Sequence, residues 1–367
     1  MTTTLDLTEE EVVRTGTGTS DAYERLLARL SHQSVVKHFD AYGDIDWDGE
    51  DFAIEGSDAR WELGDDDPLG ATDWYRSQSQ EERAQIGLDV VAAKMKMGLQ
   101  FESILKRGLL EFASDLPNGF PEFRYAYHEV IEEAQHSLMF QEFVNHSGLD
   151  ALGLKKIDMW QARRFIAFGR HFPPLFFAFV LGGEDPIDHV QRKALRRGQE
   201  LHPLLERIMR IHVTEEARHL SFARQYLKNT VVGLGPIRRA ILGIGAPLIL
   251  SGMAQMMMQP SRQVVRIHGI PLRVISEAYR KNPSHKAETR ESLRKVRQLW
   301  QELGLLRPGY RDVWRALGLI ESKGAASHGG RWLRTRATVA AVHGAQCGGR
   351  RRRPAGRLLP RTQPRTR

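Results

Sequence analysis

The chain has 367 residues, 41% hydrophobic and 27% charged, which excludes a mostly disordered polypeptide and allows one large domain or two ordinary ones. Its single cysteine, Cys347, excludes a disulfide framework and any thiolate zinc or iron–sulfur site. The net charge of +8 belongs to one end: no acid follows Glu321, and the 11 arginines from Gly324 onward exceed the total, leaving the rest at −3, which excludes a generally basic, nucleic-acid-binding body.

Met1 to Glu11 is polar and acidic, with no basic start leading into an apolar run, so no secretory signal is expected there. With no cysteine before Cys347, a cytoplasmic location is the expectation. Tyr23 to Phe39 has helical apolar spacing, and Asp44 to Asp67 is acid-rich and reads as a surface segment; residues 1–70 form an N-terminal extension on this reading. A long helix begins near Ser79, where Ser79 and Glu82 have capping-box spacing, and its apolar pattern runs from Ile86 to about Phe112. Asp115-Leu-Pro-Asn-Gly119 breaks it. A second helix follows Pro121, runs to about Asn145 and ends near Gly148. Ile157 to Arg197 has helical spacing, with interruptions expected at Pro173-Pro174 and again near Gly182-Gly183 and Pro186. A fourth helix starts near Pro203 and runs to about Leu227; four helices with short connections predict a bundle.

Ala240 to Met258 is a run of 19 uncharged residues, at the lower edge of what crosses a bilayer. Nothing else in the chain looks membranous, so the expectation is a helix in a large α-helical core and no membrane partner. Ile275 to Leu305 and Arg311 to Ile320 predict amphipathic helices outside the bundle. The resulting division is a helical domain over residues 71–322 and a disordered Arg-rich tail over 323–367, whose composition cannot bury enough surface to fold. No specific nucleic-acid partner is expected.

A short internal repeat carries the chemistry. Residues 129–136 read Glu-Val-Ile-Glu-Glu-Ala-Gln-His and residues 212–219 read His-Val-Thr-Glu-Glu-Ala-Arg-His, identical at five of eight positions at an offset of 83. Residues three apart share a helix face, so Glu133 and His136 aim at one point, as do Glu216 and His219. Two such Glu-x-x-His helices, with one Glu from each of two more, are what a carboxylate-bridged di-iron or di-manganese bundle requires. The single carboxylates are Glu102, which precedes Glu133 by 31, and Glu184, which precedes Glu216 by 32. Both sit beside apolar stretches, where an unpaired carboxylate would be expensive to bury. His212 lies four residues before Glu216 on the same face and is a seventh candidate; its counterpart in the first half is Glu129. Glu111 and Asp185 are the substitutes to test. Glu132 and Glu215 repeat the pattern one residue early but meet Gln135 and Arg218, and read as outer or surface groups. Tyr125, Tyr127, Gln135, Arg218 and Asp188 are further candidates for supporting the ligands, with surface pairing the plainer reading for Arg218 and Asp188. Lys94 and Lys96 lie within two turns of Glu102 and read as solvated or paired, so no clamp for an acidic substrate is assigned. Met253 and Met256 to Met258 read as core filler.

Phe101-Glu102, Glu132-Glu-Ala-Gln-His136, Gly183-Glu-Asp-Pro186 and His212-Val-Thr-Glu-Glu-Ala-Arg-His219 together resemble the AurF-like family of para-aminobenzoate N-oxygenases, over roughly residues 75–320. The extra histidine at 212 is the most specific mark. The resemblance implies an all-α, ferritin-like four-helix bundle elaborated with additional helices, a homodimer, and a non-haem centre of two iron ions, for which manganese is the other candidate. It implies that Glu133 and Glu216 bridge the ions, that Glu102 and His136 complete one, and that Glu184, His212 and His219 complete the other. The implied reaction is O₂-dependent oxygenation of a small aromatic amine, with electrons from an external reductase. Two other readings stay open: an iron-binding protein of the same fold without oxygenase activity, and a di-iron oxidase acting on C–H bonds.

Overall fold

No strand occurs among the described residues, 21–196 and 200–321, of this computed structural model. The Arg-rich tail expected over 323–367 and the acidic start, Met1 to Glu11, lie outside them. The first helix, α1 (Asp21–Val36), is followed by a long irregular connection. Helix α2 (Gln80–Ser114) opens on the expected capping box: the Ser79 hydroxyl accepts from the Glu82 N–H, and the Glu82 carboxylate accepts from the Ser79 N–H. Helix α3 (Pro121–Ser147) begins on a proline whose missing N–H costs nothing there. It stops at Gly148, whose φ of 64° is the left-handed conformation that residues with a Cβ avoid. Helices α4 (Pro173–Arg196) and α5 (Pro203–Val231) form the second pair. Helix α2 packs along α3 and α4 along α5, and the two hairpins close through α2–α4 and α3–α5 contacts. This is the expected all-α, ferritin-like bundle.

Two boundaries differ from expectation. Helix α4 runs unbroken through Gly182, Gly183 and Pro186. The glycines serve approach rather than interruption: a Cβ on Gly183 would lie 2.2 Å from the Phe101 ring on α2, and one on Gly182 would lie 3.0 Å from Leu250. The acid-rich segment after α1 is also not a surface strip. Most of its acids are exposed, but Asp58 and Glu62 are half-buried in ion pairs with Arg60 and Arg83, and Ile45, Trp47 and Trp61 are buried against α2 and α3.

The apolar run forms α6 (Pro236–Met257), which packs on α4 through Leu242, Ala246, Leu250 and Met253. Its other face leaves Ile237, Ile241, Ile244 and Leu248 exposed. Within the described residues one helical stretch, Pro236–Ile267, is long and apolar enough to cross a membrane, and half of its most apolar window is buried in the fold. Met253 and Met257 are core, whereas Met256 is exposed. Beyond α6 the expected long amphipathic helix is broken at Asn282-Pro283 and Leu293, and α7 (Arg294–Glu302) and α8 (Pro308–Ala316) bring Trp300 and Trp314 into the core.

The bundle's interior is layered. Along α3, buried Tyr125 and Ala126 precede residues 129–136, and Met139 and Phe140 follow. Along α5, Ile208 and Ile211 precede residues 212–219, and Leu220 and Phe222 follow. The repeated motif is thus a polar layer closed above and below by apolar side chains.

Candidate metal centre

The polar layer holds the seven residues singled out by spacing. Glu102 comes from α2, Glu133 and His136 from α3, Glu184 from α4, and His212, Glu216 and His219 from α5; each is at most 2% exposed. Ligand atoms of four triplets lie within 4.8 Å of one another: Glu102–His136–His212, Glu133–His136–Glu216, Glu184–His212–Glu216 and Glu129–Glu133–His219. Glu111 is in none of these groups, and Asp185, although buried, pairs with Arg224.

The two motifs grip each other across the helix pair. His136 places Nδ1 3.1 Å from Glu133 and hydrogen-bonds Glu215 of α5 through Nε2 at 2.9 Å. His219 places Nδ1 3.0 Å from both Glu216 and Glu133 and hydrogen-bonds Glu132 of α3 through Nε2 at 2.8 Å. So the first Glu of each Glu-Glu pair reaches to the opposite helix and accepts the Nε2 hydrogen bond, while the second faces the centre. In the neutral ring with Nε2–H donated outward, each Nδ1 lone pair would face the centre, where a bound cation would replace the proton that Nδ1 otherwise shares with the carboxylates beside it. Glu132 and Glu215 are therefore buried partners of the histidines, not surface groups.

Arg218 is likewise not a surface residue. It is 6% exposed and its guanidinium reaches Glu132 at 2.8 Å and Glu215 at 3.3 Å, joining the two outer carboxylates. Glu215 also accepts from the Phe39 N–H at 3.1 Å. His212 is held from behind: its Nδ1 is 2.9 Å from Gln191 of α4, and its Nε2 lies 3.8 Å from Glu102, 3.9 Å from Glu216 and 4.0 Å from Glu184. Lys106, one turn after Glu102, donates to the Glu133 carbonyl oxygen at 3.0 Å and to the Ser137 hydroxyl.

The remaining candidates fall elsewhere. Tyr127 is exposed and packs on Phe123, Gln135 bonds Ala41 and Asp40 in the connection after α1, and Lys96 bonds Gln141. Asp188 is buried, as an orienting group would be, but its partners are Arg192 and Lys295. Tyr125 is fully buried against Phe222, one turn before Glu129.

Electrostatics show what the cluster lacks. Burial, then the neighbouring Glu133 and Glu184 charges, push Glu102 well above the carboxylate range, and burial with Glu216 and Glu133 does the same to Glu184. Burial alone would lower His136, but hydrogen bonds to Glu133 and Glu215 outweigh it and push it up to about 10. Burial dominates at His212 and holds it well below its usual value. Glu132 is the contrast: burial raises it, yet His219 and Arg218 pull it down to about 2. Oxygens of Glu102, Glu129 and Glu216 have no hydrogen-bond partner although they are fully enclosed. Five inward carboxylates and three imidazoles, with the nearby guanidinium already engaged by the outer pair, form a donor set that two divalent cations would neutralise and complete. The residues fit a two-metal centre.

Sequence reasoning passed over three contributors. Glu129 enters the repeat only as the counterpart of His212; Gln191 is seven residues after Glu184 on the same face, and Lys106 is four after Glu102.

Comparison with known proteins adds family context. The profile of P-aminobenzoate N-oxygenase AurF matches residues 20–304. Uncharacterized proteins of Mycobacterium bovis and of two strains of Mycobacterium tuberculosis are 40% identical over 293 residues, which is 80% of this chain and 86% of each relative.

Proposed function

Since the chain belongs to the AurF family of P-aminobenzoate N-oxygenases, we propose that it is a non-haem di-iron, O₂-dependent oxygenase acting on the nitrogen of an aromatic amine. The observation that carries the reading is the buried layer of Glu102, Glu129, Glu133, Glu184, Glu216, His136, His212 and His219, with unpartnered carboxylate oxygens facing inward. In the proposed assignment Glu102, Glu133, His136, Glu184, His212, Glu216 and His219 would hold the two ions.

A bound pair of ferrous ions would supply a site for O₂ and two of the electrons that its reduction needs. Overall the amine nitrogen gains one oxygen atom and becomes a hydroxylamine. The second oxygen leaves as water, with two electrons and two protons from an external donor. The chain's own residues make that chemistry selective. Glu132 and Glu215 hold the imidazoles in one tautomer and one orientation. Arg218 ties the two carboxylates together, and with His219 it draws Glu132 down to about 2, so that Glu132 remains an acceptor. Phe101 and Phe140 are buried beside the layer and exclude bulk water, which strengthens every charge interaction within it.

The test is anaerobic titration of metal-free protein with Fe(II), then exposure to O₂ with p-aminobenzoate. Two ions per chain, O₂ uptake that depends on the amine, and a product heavier by one oxygen atom are the expected results. A chain that takes up no iron, or takes up iron and leaves every aromatic amine unchanged, would sink the reading.

A further inference from the structure

We propose that Glu129 is an eighth ligand of this centre, a terminal carboxylate for the cation held by Glu133 and His219. The inference rests on the two-metal reading above and adds a residue to the ligand set implied by the family resemblance.

Four observations converge on it. Glu129 lies on α3 one turn before Glu133, so helical geometry places both on one face. One of its oxygens lies within 4.8 Å of ligand atoms of both Glu133 and His219. The residue is 0% exposed, and neither of its carboxylate oxygens has a hydrogen-bond partner. The nearby Arg218 and Lys106 do not bond it: Arg218 is engaged by Glu132 and Glu215, and Lys106 bonds the Glu133 carbonyl and Ser137. A carboxylate in that position is costly unless a positive charge meets it.

The grouping around the histidines says which ion it would serve. His212 approaches Glu102, Glu184 and Glu216, and the first two are also the single carboxylates of α2 and α4. The triplet containing His219 contains neither of them; its carboxylates are Glu133 and Glu129. Glu129 would therefore meet the ion that Glu133 and His219 hold. The repeat expresses the same relation. At the position where α5 offers a nitrogen ligand, His212, α3 offers an oxygen ligand, Glu129. The ligand is a hard or borderline divalent cation such as Fe(II) or Mn(II), which accepts mixed oxygen and nitrogen donors.

Manganese binding reads this without turnover. Metal-free parent, E129Q and E129D proteins are titrated with Mn(II), and free Mn(II) is followed by electron paramagnetic resonance. The parent should bind two ions per chain. E129Q should keep one of comparable affinity and bind the other at least tenfold more weakly, and E129D should recover part of the loss. Two ions bound as tightly by E129Q as by the parent would overturn the proposal while leaving the two-metal reading intact. A parent that binds no Mn(II) or Fe(II) would instead remove the reading beneath it. If E129Q fails to fold, as judged by circular dichroism, crystals of the Mn(II)-loaded parent decide the matter. A Glu129 oxygen bonded to the ion beside His219 supports the assignment, and a Glu129 carboxyl turned away from both ions rejects it.

Discussion

The two hairpins are near copies that differ where it matters. Both place Glu-Glu-Ala-x-His across from each other, and each sends its first Glu to the other's histidine. Yet the residue before the histidine is Gln135 in one and Arg218 in the other. Gln135 turns out to the connection after α1, whereas Arg218 turns in and ties Glu132 to Glu215. The duplicated part sets the position of two cations; the unduplicated part sets their surroundings. A symmetric skeleton has thus been given one shared electrostatic anchor instead of two.

Breaking that anchor should have the largest effect. R218Q leaves Glu132 and Glu215 buried without their common cation, and removing one partner of such a network costs about 3–5 kcal/mol. The matching change in the other hairpin, Q135A, removes hydrogen bonds near the surface and should cost about 1 kcal/mol. Urea unfolding of the two metal-free variants measures both. Equal losses would mean that the hairpins are equivalent after all and that Arg218 is only another surface group.

A smaller effect tests the part that is shared. E132Q should loosen His219 on α5, and E215Q should loosen His136 on α3, each lowering affinity for one ion about 10–100-fold, the range expected when a partner of a metal-binding histidine is lost. Because the two bonds are alike in length, the losses should be similar. A large loss in one variant and none in the other, read by Mn(II) titration, would show that the crossed arrangement is not functionally symmetric.

The sequence made some of this legible and hid the rest for physical reasons. Glu133, His136, Glu216 and His219 could be found because three-residue spacing on one helix fixes a shared face. Glu102 and Glu184 followed from the near-equal intervals before the motifs. The roles of Glu132, Glu215 and Arg218 could not be read in this way, since their partners lie on the opposite helix and the crossing that joins them is not encoded in spacing along either one. Helix α4 shows the opposite difficulty. Gly182, Gly183 and Pro186 carry the local signature of a break, but the helix is held by α2, α5 and α6 on its sides. There the glycines answer to Phe101 and Leu250 and not to the local chain. The irregular stretch after α1 misled by composition: its many acids concealed the few apolar residues, Ile45, Trp47 and Trp61, that fasten it to the bundle.

The starts of α3 and α5 give the smallest contrast and the one that responds to pH. Each helix begins on a proline preceded by an aromatic ring, Phe120-Pro121 and His202-Pro203. Phe120 is exposed, whereas His202 is fully covered, stacks on Trp61 at 4.2 Å between ring centroids and bonds the Ala53 carbonyl through Nε2 at 3.1 Å. F120A should be nearly neutral. H202A should cost about 1–2 kcal/mol, the sum of one modest hydrogen bond and one ring contact. Burial lowers the His202 pKa below its ordinary value near 6.5. The unfolded chain therefore binds this proton more readily than the folded one, so the stability His202 contributes is complete above about pH 6.5 and declines as the pH falls below it. Thermal unfolding of the parent and H202Q between pH 8 and pH 5 isolates the effect, because H202Q removes this titration and leaves the others. The difference in midpoint between the two should shrink toward acid; a difference that grows there would mean that the folded state, not the unfolded one, favours the protonated ring.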